Sequence, residues 1–157
     1  MSTSRHRALD GGIVSISTSA HGSAQHTASI EVATPFGVRE FISGRPSFGD
    51  AHATDFGITS FDEEYSLHGG RLKIGKALVE RSWGGYSTLA RVGIWQGGKH
   101  SLAVHMYDRE SADLVTVFDS LRIEEFEDGL VAIPNDPEVT PVIREGPTCP
   151  RGVASHS

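Results

Sequence analysis

Residues 69–98 read GGRLKIGKALVERSWGGYSTLARVGIWQGG, and three Gly-Gly pairs, at 69–70, 84–85 and 97–98, punctuate the run. A two-residue hairpin loop needs positive φ at its centre, which glycine adopts without steric cost. The intervals of 15 and 13 residues leave room for strands of ordinary length. Taking each pair as the centre of a loop sets His68 opposite Arg71, Trp83 opposite Tyr86 and Gln96 opposite Lys99. The outcome is a four-strand meander, roughly 58–67, 72–82, 87–95 and 100–107.

Side-chain chemistry supports that pairing, because cross-strand neighbours share a face and a slip of one residue would reverse every assignment. One face gathers Phe61, Tyr65, Ile74, Leu78, Leu89, Trp95, Leu102, Val104 and Met106, with Glu63 matched to Lys76 and Glu80 diagonal to Arg91. The other gathers Ala77, Val79, Ala90, Val92, Ile94, Ala103 and His105, small groups that would let a helix approach closely. The large apolar face is either ordinary core, the commoner fate of such residues, or a surface covered by a ligand or partner.

Beyond the meander, DRESADLVTVFDSL predicts a helix over about 110–121, with Asp108 or Ser111 as cap and Leu114, Val117, Phe118 and Leu121 on one stripe. It is expected on the small-residue face. RIEEFEDGLVAIP then reads as strand, Asp128-Gly129 turn and strand closing a sheet edge, with Glu124, Glu125, Glu127 and Asp128 facing solvent. The fold class is therefore α+β: an antiparallel sheet of five to seven strands with one main helix on a face and loose termini.

Composition bounds the rest. A chain of 157 residues is near the usual size of one domain, and its 18 glycines speak for turns over long helices. Residues 1–27, polar and short of large apolar groups, read as a flexible arm with a short strand at 13–17. Residues 28–133 form the domain, and 134–157, with five prolines in 24 residues, read as an extended tail or strap.

The net charge of −6 and the lack of a dense basic stripe disfavour nucleic acid as a partner. No segment has the length and apolarity of a membrane span or a signal peptide. The single cysteine, Cys149 between Pro147 and Pro150, rules out an internal disulfide and makes a poor nucleophile, and a cytoplasmic location is expected.

The order of hairpins, helix ending in VFDSLRIEE and final strand resembles the closing half of Mog1/PsbP-like α/β proteins over residues 69–133. The resemblance implies a sheet covered by helix on at least one face and a role as binding or assembly accessory; it carries over no functional residue.

Candidate chemistry is sparse. Asp50, His52 and Asp55 in GDAHATDF are metal-ligand types within six residues, although they equally suit a glycine-rich loop with an exposed histidine, and a further ligand such as His68 or His26 is conjecture. His105 and Tyr107 beside small alanines, with Arg91, suggest a pocket between sheet and helix, against the ordinary reading of a hydrogen-bonded sheet histidine. Trp83 and Tyr86 either clasp the middle hairpin tip or offer a contact. The carboxylates at 62–64 and 124–128 read as solvated edges. No nucleophile elbow, GxGxxG or P-loop is present, so no cofactor is implied.

The sequence thus favours a non-catalytic protein-binding or assembly module, its partner another protein or a second copy of itself. The alternatives are a small-molecule binder or small hydrolase or isomerase using the pocket, and a structural subunit gripped by the proline-rich tail.

Overall fold

A computed structural model describes residues 2–18, 25–80 and 87–148. In chain order the elements are β1 (Ser2–Arg7), β2 (Ile13–Thr18), β3 (Gln25–Thr34), β4 (Gly37–Gly44), α1 (Pro46–Asp55), β5 (Glu63–Leu67), β6 (Gly70–Glu80), β7 (Ser87–Gln96), β8 (Ser101–Tyr107), α2 (Ser111–Asp119), β9 (Leu121–Phe126), β10 (Gly129–Pro134) and β11 (Val142–Thr148). The protein is α+β, as expected. Seven strands form one antiparallel sheet in the order β11-β3-β4-β8-β7-β6-β5, while β1-β2 and β9-β10 are two-stranded ribbons. No helix among the described residues is long and apolar enough to cross a membrane.

The meander β5 to β8 is present, and its registers differ from the expected ones by two residues each. Leu67 pairs with Gly70, Leu78 with Leu89, and Gln96 with Ser101. A shift of two keeps the side chains of the paired residues on their faces. At the first turn, His68 (φ 51°) and Gly69 (φ 75°) are the central residues, while Gly70 is drawn into the strand because the Trp95 ring lies on it: a Cβ there would stand 2.6 Å from the ring. The last turn widens to four residues, closed by the Gly97 N–H donating to the His100 carbonyl at 2.9 Å. Residues 81–86, which hold the middle Gly-Gly pair with Trp83 and Tyr86, lie outside the described residues.

The expected helix lies on the other face of the sheet from the one expected. Helix α2 packs on the large apolar face: Leu114, Val117 and Phe118 are buried in one cluster with Ile30, Phe41, Leu72, Ile74, Trp95, Leu102, Val104 and Met106. Phe118 meets Phe41 edge to face at 5.4 Å. Bare Gly93 lets the helix in, since a Cβ there would be 2.8 Å from the Phe118 ring and 3.1 Å from Leu114. The helix starts at a capping box in which the Glu110 N–H donates to the Asp113 carboxylate at 3.2 Å, so neither Asp108 nor Ser111 is the cap.

The small-residue face is instead covered by α1, whose Ala53 packs with Val92, Ile94, Ala103 and Ile58. Sequence reading left this segment as a loop. Its signals were a proline at the first helical turn and a glycine just past the end. Gly57 (φ 80°) and Ile58 close the helix by donating to the carbonyls of Thr54 at 2.8 Å and Ala53 at 3.0 Å, the double hydrogen bond of a Schellman motif. Phe61 belongs to this face, packed against Ala53 and its neighbours, not to the large apolar one.

The ribbon β9-β10 closes no sheet edge. It lies over the main core through Leu121, Ile123, Leu130 and Ala132. Its acidic residues are tethered rather than merely solvated: Asp128 pairs with Arg7 at 2.8 Å, Glu127 with Lys99, and Glu125 with the β7–β8 loop. Both terminal segments contribute strands. The β1–β2 hairpin buries Ala8 and Leu9 against the ribbon, and β11 pairs along β3 at the sheet edge.

Candidate functional site

The large apolar face is covered by its own chain for the most part. Ile74, Trp95, Leu102, Val104 and Met106 are buried, whereas Tyr65 and Leu78 remain open to solvent. Two places then stand out, one on each side of the sheet.

Under α1, the alternation of β8 sends His105 and Tyr107 to the same face as Ala103. Helix α1 crosses there and presents His52 and, from its C-cap, Phe56. The His52 Nε2 and His105 Nδ1 atoms are 3.3 Å apart, with ring centroids separated by 5.3 Å and planes at 34°. Phe56 leans on the His105 ring at 4.6 Å, and Tyr107 meets it edge-on at 5.6 Å. Both histidines are half-buried. Burial pushes the His52 pKa below its ordinary value, against the opposing pull of Asp55. Burial does the same to His105, reinforced by the field of His52 and of Arg39 and opposed by Glu40. Both shifts favour the uncharged imidazole, which carries one nitrogen lone pair.

The other expected members of these clusters are elsewhere. Arg91 projects to the opposite, α2 side of the sheet and is only 8% exposed. Its Nε donates to the Arg109 carbonyl at 2.6 Å and its Nη1 to Ser111 Oγ at 3.0 Å, so it fixes the start of α2 and shares no pocket with His105. Asp50 turns away from His52 to meet Lys73 Nζ and Gln96 Nε2 at 3.4 and 3.5 Å. Asp50, His52 and Asp55 do not converge, and no three His, Cys, Asp or Glu side chains form a metal-sized cluster among the described residues. His68 instead lies 3.0 Å from the Phe118 carbonyl through Nε2. Glu63, expected opposite Lys76, accepts from Ser111 and from the Tyr65 hydroxyl, contacts that hold its carboxyl below the usual range; Lys76 reaches Asp62 at 4.0 Å.

On the far side, β6 and β7 outrun both neighbours. Among the described residues β5 ends its strand pairing at Glu63↔Ile74 and β8 at Ala90↔Tyr107, Asp108 then bonding the Leu89 backbone, so that Val79↔Thr88 and Glu80↔Ser87 extend β6–β7 as a two-stranded arm. Leu78 at the base of this arm is 72% exposed. The arm leads into residues 81–86, and thus to Trp83 and Tyr86.

Sequence reasoning found His105 and His52 but not their contact, because the pairing depends on a helix that carries few apolar residues. No protein-family model matches this chain, nor does any curated protein or any solved structure.

Proposed function

We propose that the protein is a non-catalytic protein-binding or assembly module that meets its partner through the β6–β7 arm. The observation that carries this reading is Leu78, a leucine left 72% exposed where β6 runs beyond its pairing with β5, while its face-mates Ile74 and Leu72 are fully buried. An arm of this kind offers two recognition chemistries at once: apolar side chains and a backbone edge of β6 beyond Ile74 that no strand pairs among the described residues, to which a partner strand can add. Trp83 and Tyr86 follow in sequence and are aromatic types enriched at interface cores. The likeness to Mog1/PsbP-like accessories points the same way.

The test is Leu78→Asp, measured by light scattering for self-association and by retention of partners co-purified with the wild-type chain. Loss of association with an unchanged melting temperature is the expected result. Retention of the same mass and the same partners would overturn the proposal.

A small-molecule site is the second reading, and the aromatic surround of His105 favours it. Its residues would be His105, Tyr107, His52 and Phe56, without Arg91.

A further inference from the structure

We infer that His52 and His105 form a binding site for a divalent transition-metal cation, with the two imidazoles as the protein ligands and water in the remaining positions.

The argument is geometric. Metal–nitrogen bonds of about 2.0–2.1 Å at a tetrahedral angle place two ligand nitrogens about 3.3–3.4 Å apart and their ring centroids roughly 5.2 Å apart. The corresponding separations here are 3.3 Å and 5.3 Å. The same separation also admits a direct hydrogen bond between the two ring nitrogens, with the donor set by the tautomers. The spacing thus accommodates a shared cation in place of the shared proton.

The surroundings fit the chemistry. Imidazole is a ligand of intermediate softness that suits zinc, copper and nickel over magnesium or calcium. Each ring can carry its remaining hydrogen on the distal nitrogen, His52 Nδ1 and His105 Nε2, which leaves the facing pair of lone pairs for the metal. Phe56 against His105 limits how far that ring can swing, and the Schellman closure of α1 fixes the segment bearing His52. With only two protein ligands the site is open, and its cation stays exchangeable.

This inference is independent of the arm. The experiment uses untagged full-length protein, because the chain has eight histidines and the readout must resolve them. Zinc ion is titrated while the ring proton resonances of each histidine are followed by NMR, with His52→Ala and His105→Ala assayed alongside. The expected result is that His52 and His105 move together, ahead of the other histidines, and that each substitution weakens the response of the surviving ring at least tenfold. Asp50→Asn should leave it unchanged. If another histidine responds first, or if His52 in the His105→Ala protein titrates as in the wild type, the site is overturned. Should His105→Ala fail to fold, His105→Gln and the surface-reached His52→Ala carry the same comparison.

Discussion

The Glu125 carboxylate accepts two hydrogen bonds from His100, one from the backbone N–H at 2.7 Å and one from ring Nδ1 at 3.0 Å. The N–H groups of Gly98 and Lys99 add two more at 2.8 Å each. Three successive backbone donors around one anion make a nest, and here the anion is the protein's own, carried by β9. The contact fastens the ribbon to the loop between β7 and β8. A Cβ at position 97 would stand 2.7 Å from that carboxylate, so any larger residue there would push Glu125 out of the nest.

Glu125→Gln keeps the size of the side chain and removes its charge. One oxygen becomes an amide that faces donors with a donor, so the loop N–H groups lose part of their acceptor. Hydrogen bonds to a charged group contribute about 1.5–3 kcal/mol, and the substitution is expected to cost roughly 2 kcal/mol. Urea denaturation midpoints of the two proteins measure it; a difference within error would show that solvent replaces the nest without cost.

The same carboxylate makes stability pH-dependent. Burial raises its pKa, but the N–H groups of Lys99, Gly98 and His100 outweigh that and hold it below the usual carboxylate range. A native pKa lower than the unfolded one means that the stabilisation is complete above the unfolded value, about 4.3, and is lost as pH falls through the native value. Wild-type stability should therefore decline below about pH 4.5 more steeply than that of Glu125→Gln. Parallel denaturation curves from pH 7 to pH 3 give the comparison, and equal slopes would assign the decline to other carboxylates.

What could be read in the sequence was whatever depends on local backbone chemistry. Gly-Gly pairs announced the turns, alternation announced the faces, and Leu114, Val117 and Phe118 announced α2. The errors of two residues in register arose where tertiary contacts claimed a glycine for another purpose, Gly70 for the Trp95 ring and the 97–100 loop for Glu125. Helix α1 escaped notice because it buries only Gly49 and Ala53; without large apolar residues at helical spacing, it is held by close approach to the sheet. Helix α2 is expected on the wrong face because of the premise that small residues mark the main packing face. They mark the face of a helix with small side chains, while a single glycine at 93 admits the one with bulky apolar side chains.

Gly93→Ala tests that last point. The added methyl meets Phe118 at 2.8 Å and Leu114 at 3.1 Å, in a cluster with no room to shift cheaply. Overpacking of this kind costs about 1–3 kcal/mol. Helix propensity plays no part, since the site is a strand. Gly37→Ala is not a useful control, because Gly37 has φ 98° and would be strained for a different reason. The informative comparison is the double variant Gly93→Ala with Phe118→Leu. If steric conflict is the cause, the double variant should lose less than the sum of the singles in thermal or urea unfolding; strict additivity would point to another origin.

The last prediction concerns the N-terminal segment, which composition marks as a loose arm. Leu9 is 1% exposed and belongs to the main core cluster, and its carbonyl accepts from the Ala132 N–H at 2.9 Å. Arg7 holds the same region from the other side, its Nε on Asp128 at 2.8 Å and its guanidinium 4.4 Å from the Phe126 ring centroid. If these contacts close the core over β9-β10, Leu9→Ala should destabilise the whole domain by about 2–4 kcal/mol, as for other buried leucines. If the segment is only an appendage, the cost should be near zero and the hairpin should exchange its amide hydrogens independently. Hydrogen exchange separates the two outcomes: the Ala132 amide should exchange at the global unfolding rate in the wild type, and the loss of protection in Leu9→Ala should reach the buried strands β7 and β8 as well as the ribbon.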